Sequence, residues 1–259
     1  MAAVELRPRS NTELLDATVE FIRRHFVTLA SAIALGQLPG LVMNALWPPD
    51  PAHPFAVWRD YPAIAVGRTV ILLLVWGCWA TMYVHLVDDL IHGRPATLGD
   101  ALRRAIPRTL GATALYLLKY LVIILWTCLF FLPGIWAFAR YFAVFPAYAI
   151  EGRGVFASIR RSKQLARGNN LRVIGVAGIP GLLVMVLMLV VQQAANGMGA
   201  SPRALGFTGA IASTVLYPFM SLPAIFLYYD IRTRREGLDL DVAHLPSSPT
   251  PSPSPSAAA

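Results

Sequence analysis

Of the 259 residues, 56% are apolar and only 14% charged, and the mean hydropathy is +0.56. That balance excludes an ordinary water-soluble domain, so lipid must be the solvent for most of the chain. The net charge of +8 does not indicate nucleic acid, because Lys and Arg sit between apolar blocks and not along a groove interleaved with stacking aromatics. The partners it implies are membrane lipids with anionic headgroups.

The first residues are no signal peptide, since Glu5, Glu13, Asp16 and Glu20 interrupt them. Ser10 and Glu13 have the spacing of a capping box. Residues 1–25 are predicted to form a cytoplasmic amphipathic helix, with Leu15, Val19, Ile22 and Phe26 on one stripe against Asp16, Glu20, Arg23 and Arg24. A bilayer core needs about 20 apolar helical residues. The first predicted span is 26–46, closed by Trp47, Pro48, Pro49 and Asp50, and the second is 69–87, closed by Asp88 and Asp89.

A second amphipathic segment opens at Thr97, with Asp100 three residues on, and sets Leu98, Leu102, Ala105 and Ile106 opposite Arg103, Arg104 and Arg108. A single helix over residues 111–150 would be about 60 Å long, twice the hydrocarbon thickness, so it must fold back. The break is expected at Leu132-Pro133-Gly134, giving spans 111–131 and 134–150. A third amphipathic segment sets Val155, Phe156 and Ile159 against Arg160, Arg161, Lys163 and Arg167, and stops at Gly168-Asn169-Asn170. Spans 171–191 and 204–229 complete the membrane domain, residues 26–230. Residues 231–259 are expected to be a cytoplasmic basic segment followed by a disordered Pro/Ser tail.

The expected fold is all-α: an integral membrane six-helix bundle with three amphipathic helices along its cytoplasmic side. Whether the recurring unit of interfacial helix, span and returning span is a true repeat stays open, because its spacing is uneven. Orientation follows from the basic residues. Seventeen of them fall in the N-terminal segment, the loops after the second and fourth spans (with Arg172 at the start of the fifth) and the C-terminal segment, against Arg59, Arg68 and Arg203 on the other side. Both termini are therefore expected in the cytoplasm.

Chemistry is sparse. There is no His-Glu-x-x-His, no phosphate-binding glycine loop and no Gly-x-Ser-x-Gly, so no catalytic residue, cofactor or metal is expected. His85 and Asp89 share a helix face with Asp88 beside them, too few ligands for a metal. Cys78 and Cys128 read as apolar fillers, and Gly36, Gly40, Gly178 and Gly181 as close helix contacts. Lys119 and Arg140 lie inside spans, where a charge costs several kcal/mol unless it snorkels, pairs or lines water. Asp88, Asp89 and Glu151 are candidate partners for them. Arg23, Arg24, Arg103, Arg104, Arg160, Arg161, Lys163 and Arg167 are candidate headgroup ligands.

Four groups of residues carry a resemblance. They are Arg7-x-Arg9-Ser10 with Glu13 to Asp16 and Arg23 to Phe26; Leu132-Pro133-Gly134-Ile135 running to Arg140-Tyr141; Glu151-Gly152 with Ser158-x-Arg160-Arg161-Ser162 and Leu165-x-Arg167-Gly168; and Tyr228-Tyr229-Asp230-x-Arg232 with Arg235-Glu236-Gly237. In this order, over residues 5–240, they resemble a bacterial family of polytopic proteins related to the membrane domain attached to some glycerophosphodiester phosphodiesterases. The resemblance implies a multi-pass protein of the bacterial inner membrane without a transferable active site. A non-enzymatic accessory or anionic-lipid-interacting role is the expectation, with an unidentified membrane-protein partner left open. The alternative is a small-solute or ion transporter or channel that uses Lys119 and Arg140.

Overall fold

The computed structural model describes residues 8–46 and 56–236; expectations on Arg7, on residues 47–50 and on the tail from 237 lie outside the described residues. Among the described residues every element is a helix. The order is α1 Asn11–Leu46, α2 Ala56–Asp60, α3 Pro62–Ile91, α4 Leu98–Ala105, α5 Thr109–Leu129, α6 Phe131–Arg140, α7 Val144–Ala149, α8 Val155–Ala166, α9 Asn170–Val173, α10 Ile179–Gly197 and α11 Pro202–Glu236. Five stretches are long and apolar enough to cross a membrane: α1, α3, the run 98–129, the run 170–197, and α11. The chain is a multi-pass membrane protein.

The bundle is built on α1, α3 and α11. Phe21 of α1 meets Phe226 of α11 edge to face, with centroids 5.2 Å apart. Trp79 of α3 donates its indole N–H to the Ala32 carbonyl at 2.8 Å. Tyr83 and Asp88 of α3 meet Ser221 and Tyr229 of α11 in the same order, so these two helices run parallel. Leu29, Ile33, Leu86, Leu222 and Leu227 are fully buried between them. Close approach is set by Gly77, where a Cβ would come within 2.7 Å of the Thr113 amide nitrogen, and by Gly36 against the Trp79 ring. Of the glycines expected at contacts, Gly178 and Gly181 make ordinary ones and Gly40 makes none.

The amphipathic lead-ins differ from expectation in two ways. First, those before the first and third spans continue into their spans. The 11–25 helix joins the first span inside α1, with only His25 non-helical (φ −115°, ψ 17°), at the expected boundary. A single tight turn at Ile106–Arg108, around Pro107, links α4 to α5. Second, these helices also bury a face against the protein, which shares Ile22 and Ala105 with the stripes expected to face lipid. Leu14, Thr18, Phe21 and Ile22 are buried in α1, Ala101 and Ala105 in α4, and Ser158, Ser162, Leu165 and Ala166 in α8. Val19, Phe26, Ile106 and Phe156 point outward. The caps form as expected: Ser10 and Glu13 satisfy each other's amides, and Thr97 Oγ1 accepts from the Asp100 amide at 3.1 Å.

The expected fourth span is not one helix. The turn falls at Phe130 (φ −154°, ψ 134°), ahead of Pro133, which sits in the first turn of α6 where its missing N–H costs nothing. The returning chain breaks again at residues 141–143 between α6 and α7. It still packs antiparallel to α5, from Gly134 against Thr127 to Tyr148, whose hydroxyl donates to the Arg108 carbonyl at 2.8 Å. The run 170–197 contains a π-helical segment, Ile174–Gly178, one residue before Pro180. A proline cannot donate back to the preceding turn, and the wider π ladder absorbs that mismatch.

Candidate functional site

Where the helix ends converge, four carboxylates are buried and clasped by arginines. Asp88 and Asp89, at the end of α3, are 8% and 4% exposed. Arg94 holds both of them, with Nε 2.9 Å from Asp89 Oδ1. Arg104 of α4 also pairs with Asp89, and Tyr229 donates its hydroxyl to Asp88. His92 Nδ1 lies 3.2 Å from Asp88 Oδ1.

Glu151 forms the second node. It accepts from Arg161 Nε at 3.0 Å, from Arg153, and from the Tyr228 hydroxyl at 2.9 Å. Arg161 also reaches Glu236, which Arg232 holds from within α11 at 2.9 Å. Asp230 is the third node: it accepts from the Arg9 amide at 2.7 Å, from Arg172, and from Arg234 at 2.9 Å. Arg172 and Arg234 each donate to the Arg9 carbonyl as well, at 2.7 Å. This layer ties the start of α1, the ends of α3 and α11, and the segments around α8 and α9 into one network.

Electrostatics follow from the geometry. Burial alone would push the Glu151 carboxyl up, but hydrogen bonds from Arg153, Arg161 and Tyr228 outweigh it and hold the group below its ordinary range. The hydrogen bond to Asp88 raises the His92 imidazole, against burial and the Arg94 charge.

Asp88, Asp89 and Glu151 were expected as partners of Lys119 and Arg140, and they are not. Nearer arginines already neutralise them. Arg104 and Arg161, expected at lipid headgroups, are likewise engaged with carboxylates. Arg24 pairs with Glu20 one turn away. Arg23, Arg103, Arg160, Arg167, Lys163 and Arg140 make no ion pair among the described residues. His85 Nε2 is buried without a hydrogen-bond partner, and no group of three metal-binding side chains occurs among the described residues.

The two intramembrane cations part company. Lys119 Nζ rests over the rings of Tyr120 and Phe145, at 5.5 and 5.6 Å. Tyr116 joins these rings to Trp76, Trp79, Tyr83 and Tyr217, an aromatic cluster across α3, α5 and α11. Single aromatic residues inside apolar spans gave no sign of it. Arg140 instead lines a groove of about 520 Å³ together with Lys163, Trp126 and Trp136. Lys163 also lies 5.0 Å above the Tyr141 ring. Sequence reasoning placed Arg140 and Lys163 in separate groups, and the structure brings them together.

No known protein family, curated protein or solved structure matches this chain.

Proposed function

We propose that the chain is a non-enzymatic, six-crossing protein of the bacterial inner membrane, both termini cytoplasmic, acting as an accessory factor held against anionic lipid. One pairing of features carries this reading. Helices α1, α4 and α8 expose Arg23, Arg103 and Arg160 without carboxylate partners among the described residues, while Phe26 on α1, Ile106 in the turn that ends α4 and Phe156 on α8 are 38%, 57% and 72% exposed. Free cations beside outward apolar side chains suit the headgroup boundary of an anionic leaflet.

Parity supports six crossings. Arg9 and Arg234 meet at Asp230, so the two ends of the described chain lie on one side, which an odd number of crossings forbids. The broken return 131–149 supplies the sixth. The residues behind the family resemblance also support the reading, because Arg9, Glu151, Arg161, Tyr228, Asp230 and Glu236, far apart in sequence, meet in the one layer. A transport role through Lys119 and Arg140 is disfavoured, since Lys119 does not line the Arg140 groove.

The test is lipid selectivity in proteoliposomes with spin-labelled phosphatidylglycerol and phosphatidylcholine. The wild type should prefer the anionic lipid, and the triple variant R23Q/R103Q/R160Q should lose most of that preference. An unchanged preference would refute the headgroup role. Flux of ions or small solutes above background would instead restore the transport reading.

A further inference from the structure

We infer that the groove between α5, α6 and α8 is a discrete site for one anionic glycerophospholipid, its phosphate held between Arg140 and Lys163. The inference rests on the lipid-associated reading for the source of the anion, but on a separate set of residues.

Start with the charge. Arg140 is exposed in a groove it shares with Trp126, Leu132 and Trp136, which are 45%, 76% and 48% exposed, an apolar surface of the kind that lipid covers. An isolated guanidinium there is costly, and no carboxylate among the described residues answers it. Lys163 lines the same groove over the Tyr141 ring and also lacks a carboxylate among the described residues, so two like charges share one groove with no acidic side chain in its lining. An anion relieves both the repulsion and the missing partner. Phosphate suits the pair, since a guanidinium donates to two of its oxygens and an ammonium adds a point charge.

The remaining walls say what the anion is attached to. Val122, Trp126, Leu132 and Trp136 give the groove apolar walls beside the cations, and about 520 Å³ is room for more than a phosphate ion. Cations and apolar walls in one groove suit a headgroup phosphate that carries an acyl chain.

The cations are also held in place. Ser162, next to Lys163 in α8, donates its hydroxyl to the Arg140 carbonyl at 2.9 Å and accepts the Ala143 amide at 3.1 Å. Helix α8 is thereby locked to the break that carries Arg140. A site fixed in advance binds with less loss of conformational freedom.

The experiment is native mass spectrometry of the full chain released in mild detergent, titrated with short-chain phosphatidylglycerol, phosphatidylcholine or inorganic phosphate. We expect one phosphatidylglycerol bound at least about tenfold more tightly than phosphatidylcholine, with the preference removed in R140Q/K163Q and kept in R203Q, an exposed cation outside both groups. Equal retention of both lipids, or a preference unaffected by R140Q/K163Q, would overturn the site. Displacement of bound lipid by millimolar phosphate would overturn the lipid assignment. If R140Q/K163Q fails to fold, thermal unfolding of the wild type decides: stabilisation by phosphatidylglycerol and not by phosphatidylcholine supports the site, and equal stabilisation overturns it. Failure of the general lipid reading is separable, because it shows in the triple variant.

Discussion

Ser162 bonds the backbone on both sides of the gap between α6 and α7, donating to Arg140 and accepting from Ala143. The hydroxyl is fully buried, and it repairs two groups that the interrupted helix ladder leaves without partners. Ser162→Ala should therefore cost about 1–3 kcal/mol, since neither group can reach water. Thermal unfolding in detergent measures it. A loss no larger than that of Ser31→Ala, at an exposed serine that bonds within its own helix, would contradict this account.

Asp230 is 5% exposed and answers two arginines and one amide. Asp230→Ala leaves Arg172 largely buried without its counter-charge, an arrangement that costs about 3–5 kcal/mol. Limited proteolysis should find the N-terminal segment cleaved faster in the variant than in the wild type. Unchanged cleavage near Arg9 would show that other contacts hold the segment.

Gly77→Ala tests the approach of α3 to α5. The added methyl group would lie 2.7 Å from the Thr113 amide nitrogen, and the obstacle is backbone, which cannot rotate away. A loss of about 1–3 kcal/mol is expected. Gly40→Ala, with nothing within 4 Å, should be neutral by the same measurement.

The layer also has a pH signature. The folded-state value of His92 is raised from 6.5, so its contribution is complete below about pH 6.5 and is lost as pH rises through the raised value. Glu151 is lowered from 4.5, so its contribution is complete above about pH 4.5 and is lost as pH falls through the lowered value. The stability difference between wild type and His92→Gln should shrink with rising pH, and that between wild type and Glu151→Gln with falling pH. Parallel pH profiles for variant and wild type would contradict either assignment.

Hydropathy made the long helices legible, and the serine and threonine caps marked where two of the lead-in helices begin. The second break at residues 141–143 was not legible, because Tyr141, Phe142 and Ala143 carry no proline or glycine and the compensating hydroxyl comes from Ser162. In a segment with apolar residues on more than one side, periodicity finds an apolar face, but not whether protein or lipid covers it. Asp88, Asp89 and Glu151 read as ends of spans, and their role as nodes depended on arginines that the sequence offers in excess. The meeting of Arg140 with Lys163 needed the α7–α8 turn, which local spacing does not encode.

Tyr228, Tyr229, Asp230 and Glu236 all belong to α11, which leaves the ribosome after the other helices described above. Until it arrives, Arg161 lacks Glu236 and Arg172 lacks Asp230, and Asp88 and Glu151 lack their tyrosine donors. The network closes only once α11 has been made. A nascent protein stalled or truncated before Tyr228 thus displays unmatched charge at the membrane boundary, a mark by which incomplete copies differ from complete ones.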